Sequence, residues 1–174
     1  MIERLHVIPD TTQPHRGLLR CGDLAFPCTL GRGGVRADKR EGDGATPPGT
    51  FALRRVFYRA DRIAAPATKL AATAIARDDG WCDASGDAQY NKPVKLPYAA
   101  SAENMWRDDH MYDVVVVLGY NDDPVVAGKG SAIFMHILHD DGTPTAGCVA
   151  LARDDLLAVL KLIDAESVIE IEGA

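Results

Sequence analysis

Apolar positions along this chain recur in short runs broken by glycine and proline, the rhythm of strands and turns rather than of helices. Residues 5–8 read as a strand stopped by Pro9. Residues 17–21 and 24–30 flank Gly22 and Asp23, a pair suited to a tight hairpin turn. Residues 50–58, TFALRRVFY, alternate well enough for another strand. The surest strand is 113–120, DVVVVLGY, because four successive valines favour extended backbone and a run without alternation predicts burial on both faces. Residues 132–138 predict a second buried strand, on which positions 134, 136 and 138 share one face. Residues 167–171 close the pattern as a strand. Helical spacing occurs at 153–164, with apolar residues at 156, 157, 159, 160 and 163 and with Asp154 and Asp155 placed to favour the helix dipole.

Between these elements lie two long stretches without periodicity. Residues 31–49, GRGGVRADKREGDGATPPG, hold six glycines and two prolines and predict a long loop, of the kind that is usually functional in a compact domain. Residues 59–79 are alanine-rich but carry Pro66 and several threonines, which leaves strand or irregular structure open. Residues 80–110 contain two tryptophans, two tyrosines and two prolines and predict an ordered insertion, a candidate lid. Aromatic side chains there either pin the insertion to the body or wall a substrate, and pinning is the commoner use. The expected fold is mainly β over a single domain, 1–174, a β-sandwich or partly open β-barrel with one helix packed on it and long loops.

Composition narrows the function classes. The chain has 174 residues, 47% hydrophobic and 25% charged, enough for one well-developed core. Nineteen basic against twenty-five acidic residues give a formal charge of -6 with no basic stripe, which argues against nucleic acid as a partner. The longest apolar run, 114–119, is too short to span a bilayer, so no membrane span is expected. The opening MIERLHVIPD shows no signal peptide. Cys21, Cys28, Cys82 and Cys148 are too few and too scattered for a disulfide framework or a zinc ribbon.

Candidate chemistry concentrates in 133–151, IFMHILHDDGTPTAGCVAL. A cysteine is a nucleophile only as the thiolate, and a nearby imidazole is the usual means of making one near neutral pH. His136 and Cys148 are that pair. Gly147 permits close approach, and the turn before Cys148 can aim the N–H groups of Ala146, Gly147 and Cys148 at one point, an oxyanion hole. A third group must orient the imidazole; a backbone carbonyl would serve. A zinc site on His136, His139 and Cys148 or Asp140 competes, but histidines three apart on a strand face opposite ways, so no metal is expected. His110 is either a substrate contact or a solvated loop residue.

These residues resemble the L,D-transpeptidases of the YkuD type. His136 matches that family's strand histidine, Thr145, Gly147, Cys148 and Val149 match its nucleophile turn, and ATPPGTF at 45–51 resembles its TP-x-G-x-F segment. The chain departs from the pattern in three places. Ala146 stands where the family has a second histidine, Ala150 replaces a polar residue, and only eight residues separate His136 from Thr145. The segments GRGGVRADKREGDGATPPG and WRDDHMYD resemble a divergent proteobacterial branch. The resemblance implies a cysteine acyl-enzyme acting on peptidoglycan stem peptides as donor and acceptor. Its products would be 1,3 links from L-Ala to diaminopimelate or 3,3 links between diaminopimelates. Alternatives are an L,D-carboxypeptidase on the same site and a non-catalytic domain that binds cell-wall peptides. It further implies no cofactor, a periplasmic location, and covalent inhibition by carbapenems. Thr145, His110, Tyr112, Asn121 and Arg32 are the expected substrate-binding residues: Tyr112, His110 and Asn121 flank the core strand, and the glycine neighbours of Arg32 let a carboxylate approach.

Overall fold

The computed structural model describes residues 1–173. Its first three strands, β1 (Arg4–Pro9), β2 (Arg16–Cys21) and β3 (Leu24–Thr29), form an antiparallel meander. Cys21 pairs with Leu24, which leaves Gly22 and Asp23 as the hairpin turn that the sequence predicts. Further along come β4 (Gly49–Tyr58), the short β5 (Ala72–Ala74), and β6 (Asp79–Cys82), β7 (Pro93–Lys95) and β8 (Ala102–Asn104). The last group is β9 (Val114–Leu118), β10 (Phe134–Ile137), β11 (Val149–Leu151), helix α1 (Arg153–Leu160) and β12 (Val168–Ile171).

Hydrogen bonding runs β12-β1-β2-β3-β11-β10-β9-β4, and β12 also pairs with β4, so the eight strands close into a barrel with β5 appended to β4. The mainly β reading with one helix holds, and the barrel is closed because β12 has partners on both flanks. It runs parallel to β1, from Arg4 opposite Val168, and antiparallel to β4, from Val168 opposite Ala52. The barrel is mixed, since β10 and β11 are also parallel.

The valine run explains how the layers stack. Val114, Val116 and Leu118 point into the barrel core with Met135, Ile137, Val149 and Leu151, while Val115 and Val117 point outward into a second cluster with Phe134, Trp81, Met105, Tyr112 and Cys148. The outer cluster is roofed by the insertion, whose strands β7-β6-β8 form a separate antiparallel sheet. Trp81 meets Phe134 edge-to-face at 5.0 Å between ring centroids. The far end of the insertion is also pinned. Arg59 lies 3.6 Å over the Trp106 ring and donates to the Arg107 carbonyl, and Arg62 donates to the Asp109 carbonyl and to Asp113 Oδ1. Helix α1 covers the barrel with Leu156, Val159 and Leu160, and it ends earlier than its apolar spacing, with Ile163 still buried in the turn beyond it. Among the described residues no helix is long and apolar enough to cross a membrane.

Candidate active site

The register of β10 against β11 places the candidate chemistry. Met135 lies opposite Val149 and His136 opposite Ala150, so Cys148 falls beside Phe134. Side chains alternate along strands, so Phe134, His136 and Cys148 all take the outer face, with the thiol and imidazole one diagonal step apart under the insertion. Both are buried: Cys148 is 6% exposed and His136 2%.

His136 Nδ1 lies 2.8 Å from the Ile137 carbonyl oxygen. A carbonyl only accepts, so Nδ1 carries the hydrogen and Nε2 is left as the basic nitrogen. This backbone carbonyl is the orienting group that the sequence leaves unidentified. The Tyr112 ring packs edge-on to the imidazole at 5.4 Å. Burial holds the imidazole down at about 4 and pushes the Cys148 thiol up to about 12. The resting pair is therefore neutral. The thiol donates to the Ala132 carbonyl at 3.2 Å and accepts from Phe134 N–H at 3.4 Å. Ala132 presents that carbonyl from a left-handed backbone conformation (φ 53) that is unusual for a residue with a side chain. It is held there by Asn91 of the insertion, whose Oδ1 accepts from Ala132 N–H at 3.0 Å.

The turn before Cys148 is braced from two sides. Thr145 Oγ1 donates to the Cys148 carbonyl at 2.7 Å and accepts from Gly147 N–H at 3.1 Å. Gly147 has φ +137, and a Cβ there would sit 2.7 Å from the Ala45 carbonyl oxygen. The ATPPG stretch thus lies hard against the nucleophile turn. It also anchors the long loop, since Thr46 Oγ1 accepts from Gly31 N–H at 2.9 Å.

A cavity of about 290 Å³ opens over the thiol, with Arg32, Glu41, Asp83, Glu103, Tyr112 and Ser131 in its walls. The expected site residues divide accordingly. Arg32 and Tyr112 line the cavity with Cys148 and Ala146. The Tyr112 hydroxyl donates to Glu103 Oε1, and burial raises the phenol well above its ordinary value. The remaining expected residues sit as follows. Thr145 is 6% exposed and engages its hydroxyl within the turn, where it braces the backbone. Gly147 N–H donates to that hydroxyl, whereas the Ala146 and Cys148 N–H groups have no protein acceptor among the described residues. His110 and Asn121 lie outside the cavity. His110 is an exposed side chain paired with Asp113 at 2.8 Å, and Asn121 organises its own loop through Val126 and Gly130. His139 pairs with Asp141 in an exposed turn. Sequence reading misses Asn91, Asp83, Glu103 and Ser131, which come from stretches without periodicity, and Ala132, at the head of the second buried strand; their signal is spatial only.

Residues 10–171 match the family model described as the YkuD L,D-transpeptidase catalytic domain. No curated protein sequence matches. Among solved structures the chain is similar to Mycobacterium tuberculosis L,D-transpeptidase 1, at 12% identity and TM-score 0.43, covering 98% of this chain and 60% of that one. It is also similar to the helical cell shape determining protein Pgp2 from Campylobacter jejuni, at 17% identity and TM-score 0.48, covering 97% and 47%. A third is M. tuberculosis L,D-transpeptidase 3 in complex with a faropenem-derived adduct, at 11% identity and TM-score 0.43, covering 97% and 60%. The chain thus spans 47% to 60% of these proteins' lengths.

Proposed function

We propose, on the premise that the chain belongs to the YkuD family of L,D-transpeptidase catalytic domains, that it transfers acyl groups between peptidoglycan stem peptides through a Cys148 thioester. The observation that carries this reading is the shared face of thiol and imidazole, with His136 Nδ1 fixed on the Ile137 carbonyl and Cys148 at the floor of a cavity. In the first step the thiol turns from Ala132 and passes its proton to His136 Nε2. Sγ then bonds to the carbonyl carbon on the L-centre side of an L,D-peptide bond. Oxyanion charge falls to the Cys148 and Ala146 N–H groups. The C–N bond breaks as His136 returns the proton to the leaving D-residue amine. In the second step an acceptor amine gives its proton to His136, attacks the thioester carbon and releases the thiol, leaving a 1,3 or 3,3 cross-link. Water in place of the amine makes the same site an L,D-carboxypeptidase. The site of action is the periplasm.

Burial holds the thiol up and the imidazole down, so the resting pair is neutral and the thiolate forms during the reaction, as its proton passes to His136. The same shifts, with Ala146 in place of a polar side chain, favour a second reading as a non-catalytic binder of cell-wall peptides. Intact mass after incubation with a carbapenem separates the two. A one-to-one adduct that is lost in Cys148→Ala and in His136→Ala, with dimers or trimmed monomers formed from purified stem peptides, is expected. Absence of both adduct and product after prolonged exposure leaves the binder.

A further inference from the structure

The hydrogen bond from His136 Nδ1 to the Ile137 carbonyl fixes one point of the imidazole and leaves its plane free to rock about that point. Proton transfer needs the plane as well, because the proton passes well only along the lone pair of Nε2. A second restraint is an aromatic contact. The Tyr112 ring meets the imidazole at 5.4 Å between centroids, with the two planes at 64°, and both side chains are buried.

Tyr112 is itself held from several sides. Phe134, on the same strand and face as His136, meets the tyrosine ring at 5.9 Å and 74°. The Arg107 guanidinium lies 5.2 Å over that ring. The hydroxyl donates to Glu103 Oε1, on β8 of the insertion sheet. The backbone adds another tie, since Ile137 N–H donates to the Met111 carbonyl at 3.1 Å. The residue that receives His136 Nδ1–H therefore also anchors the segment that bears Tyr112. A ring that merely filled the core would need no hydroxyl, because burying one costs free energy unless it is bonded. Here its bond leads to the insertion. Burial keeps the phenol protonated, so Tyr112 is a donor to Glu103 and no rival to His136 for the thiol proton.

We infer that Tyr112 is a positioning residue, which keeps the His136 ring in the plane that turns Nε2 toward the thiol, and that Glu103 sets Tyr112 through its hydroxyl. The effect on rate rests on the acyl-transfer reading of Cys148; the effect on the ring does not. The insertion then acts on both halves of the pair, on the thiol through Asn91 and Ala132 and on the base through Glu103 and Tyr112.

Nitrogen NMR of the imidazole in isotope-labelled resting protein, near neutral pH, reads the ring directly. The His136 signals are those lost in His136→Gln. A hydrogen-bearing Nδ1 and a bare Nε2 give well-separated signals, and a ring that swings free of the Ile137 carbonyl averages them. Separated signals are expected in the native protein and partly averaged ones in Tyr112→Leu and Glu103→Ala. The rate of carbapenem acylation at saturation should fall about tenfold in Tyr112→Leu and about threefold in Glu103→Ala, with the half-saturating concentration nearly unchanged. Tyr112→Phe, which removes one oxygen and leaves the ring in its packing, should match Glu103→Ala and serves where Tyr112→Leu fails to fold. Glu103→Gln keeps an oxygen that accepts from the hydroxyl, so it should recover most of what Glu103→Ala loses in both measurements. Signals as separate in the folded variants as in the native protein, or a Glu103→Gln no better than Glu103→Ala, overturn the inference. An adduct on the native protein with an unaltered ring in every variant sinks the positioning role alone. Averaging in the variants of a protein that gives no adduct sinks the enzyme alone.

Discussion

Replacing Asn91 by alanine should both destabilise the protein and disturb a thiol that Asn91 does not touch. The side chain is 7% exposed and joins three parts of the fold. Oδ1 accepts from Trp81 Nε1 and Ala132 N–H, both at 3.0 Å, and Nδ2 donates to the Tyr120 and Asn121 carbonyls at 3.0 and 2.8 Å. Alanine leaves those partners buried with nothing to bond, at about 1 kcal/mol each, or about 4 kcal/mol together. Asn91 also has φ 57, a left-handed conformation that costs a residue without a local hydrogen-bonding side chain about 1 kcal/mol more. A loss of about 4–5 kcal/mol corresponds to a Tm lower by roughly 8–20 °C for a chain of this size. Urea denaturation measures the stability. Asn91→Gly keeps the backbone relaxed and should recover only the last ~1 kcal/mol. The second readout is carbapenem acylation of Cys148, followed by mass well below the variant's Tm. Freed from Asn91, the Ala132 carbonyl no longer holds the thiol in one position, and the acylation rate should fall about tenfold. A variant that loses less than ~1 kcal/mol, or that is destabilised yet acylates at the normal rate, would refute the link from insertion to nucleophile.

Two more predictions concern the same stretch. Between pH 6.5 and about 4 the unfolded chain takes up a proton that the buried His136 imidazole refuses, so the contribution of this group is full above 6.5 and is lost as pH falls, by about 3 kcal/mol near pH 4. Urea midpoints of the native protein and His136→Gln, compared from pH 7.5 to 4.5, should converge on the acid side, and a constant gap would count against the buried neutral imidazole. Gly147→Ala drives a methyl to within 2.7 Å of the Ala45 carbonyl at a φ that alanine avoids. It should cost about 2–4 kcal/mol and abolish acylation, whereas a folded and active variant would show that the turn is not clamped by the ATPPG segment.

Where local chemistry encodes structure, the chain is legible. The unbroken valines of β9 announce burial on both faces because each face of that strand meets its own apolar cluster. His136 and Cys148 can be paired on paper because a residue's parity along a strand decides its face. The barrel's closure is not written locally, since nothing in VIEI says that β12 will pair on two sides. The bracing of the turn is not written locally for a similar reason: only the fold shows that the Thr145 hydroxyl takes Gly147 N–H. Asp83 and Glu103 lie in a segment where polar residues are abundant, and only folding singles out two of them as cavity wall.

The seam at β12 also sets the order in which the molecule can assemble. Its contacts with β1 join residues more than 160 positions apart, Arg4 with Val168 through Val7 with Ile171, and those with β4 span more than 110. Contacts this distant in sequence are reached only after large loop entropy has been overcome, so the barrel folds slowly and its last rung arrives with its last strand. Until then β1 and β4 are bare edges, each able to recruit a strand from another chain. The nucleophile turn and its cavity lie elsewhere on the barrel, but the scaffold beneath them becomes a closed hoop only when Val168–Ile171 drops into place.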